Sequence, residues 1–426
     1  MGQADRDSRV TSRQAVIGNL LARAGVGRLG VSSIVMTSGM LFRGMVVAIY
    51  LVMTTRWLGE AEYGRFAAVV ATVMVLAPAG GWGAGQVLLR RASGTQAGIS
   101  SLWSTSLLQV LVAGCLLLFP VVLFNLALPS SPSVLVVLLV GIAELIAIPV
   151  TITAASALQA VGRFGGSALV ICLVPSVRLL AVLLALESGL DGTVWNVVLA
   201  HAAGSLGGAL LAILAVRIAT GVSWRSRRQP LRQTLREGTR YASGAMVGAA
   251  HLELDKVLIL VMVGTAALGA YTVGFRAASL ALVPLAALNG VTLPRLFASQ
   301  STRERRTIFL ALLRVSVAYG VVASILLAAA SSYVPMVFGS DFADASRYVL
   351  LMAPWPAFYA VRSALCTLLT GSGKQYDRVA IESAGLVTLV AGCVLLLAAL
   401  GPEAAIYSLI CAEIVVVVLA AWRVAK

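Results

Sequence analysis

Apolar runs recur about every thirty residues along this chain, separated by short stretches of Gly, Pro, Ser and charged residues. Each run is close to the ~20 residues that an α-helix needs to cross the ~30 Å hydrocarbon core of a bilayer. The apolar windows and their breakers predict helices at about 31–57, 64–88, 101–124, 134–160, 166–186, 194–218, 239–262, 268–291, 307–329, 346–369, 379–399 and 403–422. The fold class that follows is an all-α polytopic membrane protein of about 12 transmembrane helices. Gly and Pro mark the joints, as in Leu128-Pro129-Ser130-Ser131-Pro132 and Gly371-Ser372-Gly373. Pro78, Pro149, Pro175, Pro284, Pro354 and Pro356 fall inside predicted spans. The carbonyls they free must be satisfied there by protein or by a watery cavity.

The polar segments carry a topology. With a cytoplasmic N-terminus, the inside segments hold 23 Lys and Arg and the outside segments 3, namely Arg56, Arg65 and Arg347. The outside segments also hold Glu60, Glu62, Glu187, Asp191, Asp341, Asp344 and Glu403. That imbalance predicts both termini in the cytoplasm and an even number of spans. The first apolar run, through Arg43 to Leu58, is too long for a cleaved signal peptide and is expected to remain as an anchor. A cytoplasmic segment, 1–29, precedes it, with a short amphipathic helix at 14–29.

The chain also resembles itself. Residues 57–90, WLGEAEYGRFAAVVATVMVLAPAGGWGAGQVLLR, align without a gap at an offset of 205 onto 262–295, pairing Gly59 with Gly264, Gly64 with Gly269 and Arg90 with Arg295. A parallel duplication predicts two six-helix lobes, 30–218 and 238–424, joined by a cytoplasmic linker at 219–237.

Composition narrows the class. Hydrophobic residues make up 59% of the 426 positions and charged residues only 12%, and the mean hydropathy is +0.95. A water-soluble surface does not tolerate such values. The net charge of +15 lies almost wholly between apolar runs, with no nucleic-acid-binding motif, so no nucleic-acid partner is expected. Cys115, Cys172, Cys366, Cys393 and Cys411 lack CxxC spacing and read as packing residues, with neither disulfide nor metal expected. Gly371-Ser372-Gly373-Lys374 lacks the full phosphate-loop pattern and a preceding strand, and reads as a turn. Arg225, Arg227 and Arg228 read as a topology anchor against anionic membrane lipids.

Two passages, TRWLGEAEYGRFAAV with its glycine-rich exit GGWGAGQVLLRR, and HLELDKVLILVMVGTAALGAYTVGFRAASLALVPLAALNGVTLPRL, carry a family resemblance. The VFGSDFADA turn and the loop at 371–374 extend it. Together they resemble the polysaccharide-type branch of the multidrug/oligosaccharidyl-lipid/polysaccharide exporter superfamily, flippases similar to O-antigen transporters. The resemblance implies a bacterial plasma-membrane transporter, not an enzyme, that moves a polyprenyl-pyrophosphate-linked oligosaccharide to the outer leaflet by alternating access. It implies no cofactor, with sodium or protons as candidate coupling ions. A polysaccharide polymerase and glycosyltransferases are the expected neighbours, and the protein is expected to work as a monomer. A multidrug-type exporter and a non-transporting scaffold of a glycan-assembly complex remain as alternatives. The absence of a soluble domain argues against a glycosyltransferase.

Charges inside a bilayer are expensive and mark function or buried pairing. Arg43, Arg178, Arg276 and Arg362 are the candidate substrate-cavity residues, because planar guanidinium groups suit phosphate oxygens. Tyr50, Thr54, Asn196, Ser279, Asn289 and Tyr359 offer neutral partners for sugars. Glu144, His251, Asp255, Lys256 and Glu413 are the candidates for gating or ion coupling. His201 reads as a polar packing residue, whereas Arg314 and Glu382 lie close enough to the cytoplasmic edge to snorkel. Asp255 and Arg276 fall at equal depth on adjacent helices and are expected to pair. Lys256, turned by ~100° from Asp255, is expected to face the other lobe.

Overall fold

The computed structural model describes residues 28–92, 98–128, 132–222, 229–299 and 301–425. The expected amphipathic helix at 14–29 lies almost wholly outside these residues, as do Pro129 to Ser131 and the Arg225, Arg227 and Arg228 cluster. The described residues form helices throughout. The N-terminal half contains α1 (Arg28–Met74), α2 (Ala77–Gly80), α3 (Ala84–Ala92), α4 (Ile99–Leu126), α5 (Val134–Ile142), α6 (Ile148–Ala160), α7 (Phe164–Glu187) and α8 (Val194–Thr220). The C-terminal half contains α9 (Leu231–Met262), α10 (Thr265–Leu280), α11 (Val283–Ala298), α12 (Thr302–Ala330), α13 (Val334–Phe338), α14 (Ala343–Met352), α15 (Trp355–Gly371), α16 (Gln375–Leu400) and α17 (Glu403–Ala425).

Among the described residues eight helices are long and apolar enough to span a membrane, or ten when each of two bent pairs counts as one span. The pairs are α10 with α11, bent by 42°, and the 340–352 segment with α15, bent by 49°. The count differs from twelve for two physical reasons. The first two predicted spans run together as α1, broken only by Gly59 at φ 69° and ψ 175°. The polar first turns of α9, together with Glu253, Asp255 and Lys256, lower its hydropathy. Where 64–88 was expected to be one helix, Pro78 and the glycines at 80, 81 and 83 divide it, and α2 and α3 follow α1 after short breaks.

Small residues set the helix approaches. A Cβ on Gly204 would lie 2.5 Å from the Cα of Arg178, and one on Gly208 2.7 Å from the Cα of Val174, so α8 packs backbone to backbone on α7. Capping is local and ordinary: Thr193 and Ser301 accept from the amides of Asn196 and Glu304 at the starts of α8 and α12. One apolar core gathers Leu88, Trp103 and Leu158 in the N-terminal half, and another gathers Tyr271, Trp355, Leu389 and Leu409 in the C-terminal half. A third crosses between them through Tyr63, Phe66, Val273 and Phe342.

The two ends of the bundle differ in charge. At the acidic end, Arg56 donates to the carbonyl of Val337 at 2.7 Å and to that of Met336, and Trp57 Nε1 donates to Leu190 O at 3.1 Å. A cleft of about 360 Å³ lined by Arg56, Gly59 and Asp341 opens there, away from the buried charges described below. At the basic end, Arg90 and Arg91 hold Glu237, and Arg423 holds Asp377 at 2.8 Å. The Arg91 guanidinium, hydrogen-bonded to Glu237 beyond the spans, holds that carboxyl below the usual range.

The repeat-matched glycines share backbone geometry and position. Gly264 adopts φ 116° and ψ 179°, close to Gly59 in the same sparsely allowed region that glycine alone enters freely. Gly64 and Gly269 touch each other. A Cβ on Gly64 would lie 2.3 Å from Thr265 O, and one on Gly269 3.1 Å from the Cα of Gly64.

Candidate functional site

Glu144 is placed by a local defect. Pro149 has no N–H to return to Leu145, and the chain between α5 and α6 takes one π turn at Ala143–Ala147, closed by Ile148 N–H on Ala143 O. The freed Leu145 carbonyl meets two glycines, since a Cβ on Gly80 would lie 2.4 Å from it and one on Gly114 2.7 Å. The turn holds Glu144 in the interior at 2% exposure.

A polar chain forms around that carboxylate. Glu144 Oε1 lies 2.7 Å from Arg178 Nη2 on α7 and 2.9 Å from His201 Nε2 on α8. The arginine contact is an ion pair in distance but off-axis as a hydrogen bond. Arg178 Nε donates to Ser205 Oγ at 2.7 Å, and His201 Nδ1 meets the Tyr50 hydroxyl on α1 at 2.8 Å. An ionised carboxylate only accepts, so the proton belongs on Nε2 and Nδ1 accepts from Tyr50. His201, read from the sequence as a polar packing residue, is buried here with both ring nitrogens engaged. Arg43, also on α1, differs from its neighbours. It is exposed, lies within electrostatic reach of Arg178 and Glu144, and has no side-chain partner among the described residues.

The C-terminal half holds two further groups. Arg276 on α10 donates to both oxygens of Glu253 on α9, at 3.0 and 3.3 Å, and keeps 29% of its side chain exposed. Its field reaches Tyr63 and Glu144 of the other half. The expected pairing of Asp255 with Arg276 is therefore corrected. Glu253 and Asp255 differ by about 200° around the helix, and the face that meets Arg276 belongs to Glu253. Asp255 accepts from Tyr271 and from Lys256 Nζ, the latter at 3.1 Å. Lys256 is corrected too. It lies buried 3.3 Å from the Phe275 ring centroid within its own half and does not face the other.

The last group joins α15, α16 and α17. Arg362 lies 2.9 Å from Glu413 and 3.5 Å from Glu382, which Arg378 also contacts at 3.3 Å. Trp355 Nε1 donates to Glu413 at 3.1 Å, and His251 Nε2 stands 3.6 Å from the same oxygen, beyond hydrogen-bond range. Arg362 is 8% exposed and engaged by two carboxylates, so it does not present a free cation. Glu382 is buried, which corrects its expected snorkelling; Arg314 is exposed on α12. Sequence reasoning missed the donors Tyr271, Ser205 and Trp355, whose residue types carry no mark that separates them from ordinary core.

Charge bookkeeping separates the three groups. Glu253, Asp255, Lys256 and Arg276 balance, as do Arg362, Arg378, Glu382 and Glu413. Arg43, Arg178 and Glu144 leave one positive charge. The measured coupling should follow this map: Glu253 with Arg276 should couple strongly in a double-mutant stability cycle, because breaking a buried pair costs about 3–5 kcal/mol. Asp255 with Arg276 should be additive within about 0.5 kcal/mol. The reverse ranking would show that the helix faces are misassigned.

The bundle is all-helical, with charged groups buried inside each half, and solved structures share its architecture. A multidrug resistance MATE family transporter of the MOP superfamily in its inward-facing conformation superposes with a TM-score of 0.72 at 13% identity, covering 91% of this chain and 98% of that one. Its counterpart in an outward-facing conformation gives 0.66 at 13% identity, with coverages of 92% and 95%. A MOP superfamily transporter from Pyrococcus furiosus, described as having a binding pocket of reverse polarity, gives 0.68 at 12% identity, with coverages of 94% and 97%. The class that the fold defines is thus a polytopic, all-helical membrane protein with the architecture of these transporters. The chain belongs to the polysaccharide biosynthesis protein family, whose model matches residues 29–300. No curated protein matches it.

Proposed function

We propose that this transporter exports an amphiphile with an anionic head, in the leading case a polyprenyl-pyrophosphate-linked oligosaccharide destined for a bacterial polysaccharide. The observation that carries this reading is Arg43, an exposed mid-span guanidinium left unpaired among the described residues while Arg178, Lys256, Arg276 and Arg362 all have carboxylate partners. Arg276, paired yet partly exposed, adds a second donor at the boundary between halves. The surplus of one positive charge favours an anion over an organic cation.

The full architecture in this reading is twelve spans in two lobes, 30–218 and 238–424, with the linker at 219–237 and both termini cytoplasmic. The length of α1 supports it. At ~1.5 Å per residue its 47 residues would reach ~70 Å, more than twice the hydrocarbon core, so Gly59 divides it into two arms. The helix start at Leu231 shortens the linker. Glu144, Asp255, Lys256 and Glu413 then serve chiefly as interior pairing groups. His251, buried beside Glu413 with neither ring nitrogen hydrogen-bonded, is where a coupling proton would bind.

A second reading, export of drug-like amphiphiles, is favoured by the structural matches to multidrug transporters. Reconstitution separates the two. Leaflet transfer of a defined polyprenyl-pyrophosphate glycan should fall about 10- to 100-fold in Arg43→Ala, the worth of one charge-assisted hydrogen bond. Thermal stability should be unchanged, and Arg43→Lys should recover part of the rate. Transfer of drugs with none of the glycans would establish the second reading in place of the first.

A further inference from the structure

Trp82 is the only non-glycine residue among the described residues with a left-handed backbone, at φ 41°. It lies in the break between α2 and α3, where a bulky side chain at positive φ is strained. Such strain persists only where the surroundings over-determine it, and here the surroundings come from both halves of the chain. Trp82 O accepts from Gln109 Nε2 on α4 at 2.8 Å, and Trp82 Nε1 donates to Thr239 Oγ1 on α9 at 3.1 Å. The backbones are in direct contact: a Cβ on Gly238 would lie 2.0 Å from Trp82 O, and one on Gly83 2.6 Å from Gly238 O. Beside them, Glu237 takes Arg90 and Arg91, and the Gln229 amide donates to Thr105 Oγ1 at 2.8 Å.

From these contacts we infer that the Trp82 break is a strained clasp that closes the basic end between the two halves. Docking holds the left-handed conformation through Gly238, Thr239 and Gln109; undocking lets Trp82 relax. The strain sets the closed form only slightly below the open one, so the clasp releases readily. Its part in a transport cycle rests on the alternating-access reading above, whereas the balance between strain and docking does not.

Amide hydrogen exchange in lipid nanodiscs, followed over 80–86 and 229–240, tests it. Trp82→Phe keeps the strain and removes the indole donor, so exchange in both segments should accelerate by up to about tenfold, the scale of one lost hydrogen bond. Trp82→Gly removes the donor and the strain together and should exchange more slowly than Trp82→Phe. A residue that mattered only for packing would give the opposite order, since glycine is the larger truncation, and that order would overturn the proposal. Gly238→Ala, which blocks docking sterically, marks the fully released level. Exchange at the acidic end, over 57–64 and 264–269, reads the cycle separately. Opposed changes there support two-ended alternation. An acidic end indifferent to the clasp would sink the alternating reading and leave the strained clasp standing.

Discussion

Replacing Arg362 with alanine should largely remove the folded protein from the membrane. Its guanidinium lies 2.9 Å from Glu413, which is fully buried, and it is the only Arg or Lys among the described residues in contact with that carboxylate. Trp355 leaves one weak neutral donor and His251 stands out of range. Stranding a carboxylate in the interior typically costs about 3–5 kcal/mol, a large share of the ~5–15 kcal/mol that stabilises a typical native protein. Glu382 suffers less, because Arg378 remains beside it. Changing Arg362→Met together with Glu413→Gln removes both charges and should restore most of the accumulation, as replacement of buried pairs by neutral groups often does. Monodisperse yield and thermal midpoint in detergent are the readouts. Wild-type levels of the alanine variant would mean that Glu413 finds another partner, and equal losses in the single and double variants would mean that packing, not charge, governs the site.

Gly64→Leu is expected to have the second large effect, on conformation more than on folding. A Cβ there would lie 2.3 Å from the backbone oxygen of Thr265, which cannot turn aside as a side-chain tip would. The two helices must separate, and overpacking of this kind costs about 1–3 kcal/mol, a shift of roughly 5- to 150-fold in a two-state equilibrium. Separation loosens the acidic end, where Tyr63 meets Phe342 edge-on at 5.9 Å and Arg56 reaches across to the α13 carbonyls. A single cysteine at Ala270, otherwise 2% exposed, should then react with an impermeant maleimide about tenfold or more faster in a cysteine-free background. Gly165→Ala, with nothing within 4 Å of the new methyl, is the control that should leave labelling unchanged. Unaltered labelling in Gly64→Leu would show that this crossing is not what seals the acidic end.

The repeat at offset 205 matched Gly59 with Gly264 and Gly64 with Gly269 in the sequence, but that the second pair forms a crossing was not legible there, because equivalence in a repeat does not say which equivalent positions touch. The helical class was legible, since burial in lipid imposes one long apolar run per span. Partner choice among the charges was not. Depth along a helix follows from counting residues, but azimuth at a crossing depends on tilt and on which small residues let two backbones meet. Asp255 and Glu253 differ by only ~3 Å in depth, within reach of one arginine side chain, and by more than half a turn in direction. Arg43 and Arg178 looked alike as mid-span cations, and only the π turn that delivers Glu144 to Arg178 tells them apart. That turn had a sequence signal, Pro149, whose effect on helical register cannot be read without knowing what receives the freed carbonyl.

The contact between Gly64 and Gly269 resembles an isologous dimer interface folded into a single polypeptide. A position that meets its own equivalent across a two-fold behaves unlike any other, because in a true homodimer one substitution appears on both sides of the contact at once. In a symmetric homodimer, a methyl added at such a glycine collides with a second methyl at the same place, doubling the penalty and holding the position to glycine. A single chain carries no such doubling. Each glycine can be tried alone against an unchanged partner, so drift at one position is limited by what the other still is, and the first larger residue to settle on either side would commit its counterpart to remain glycine.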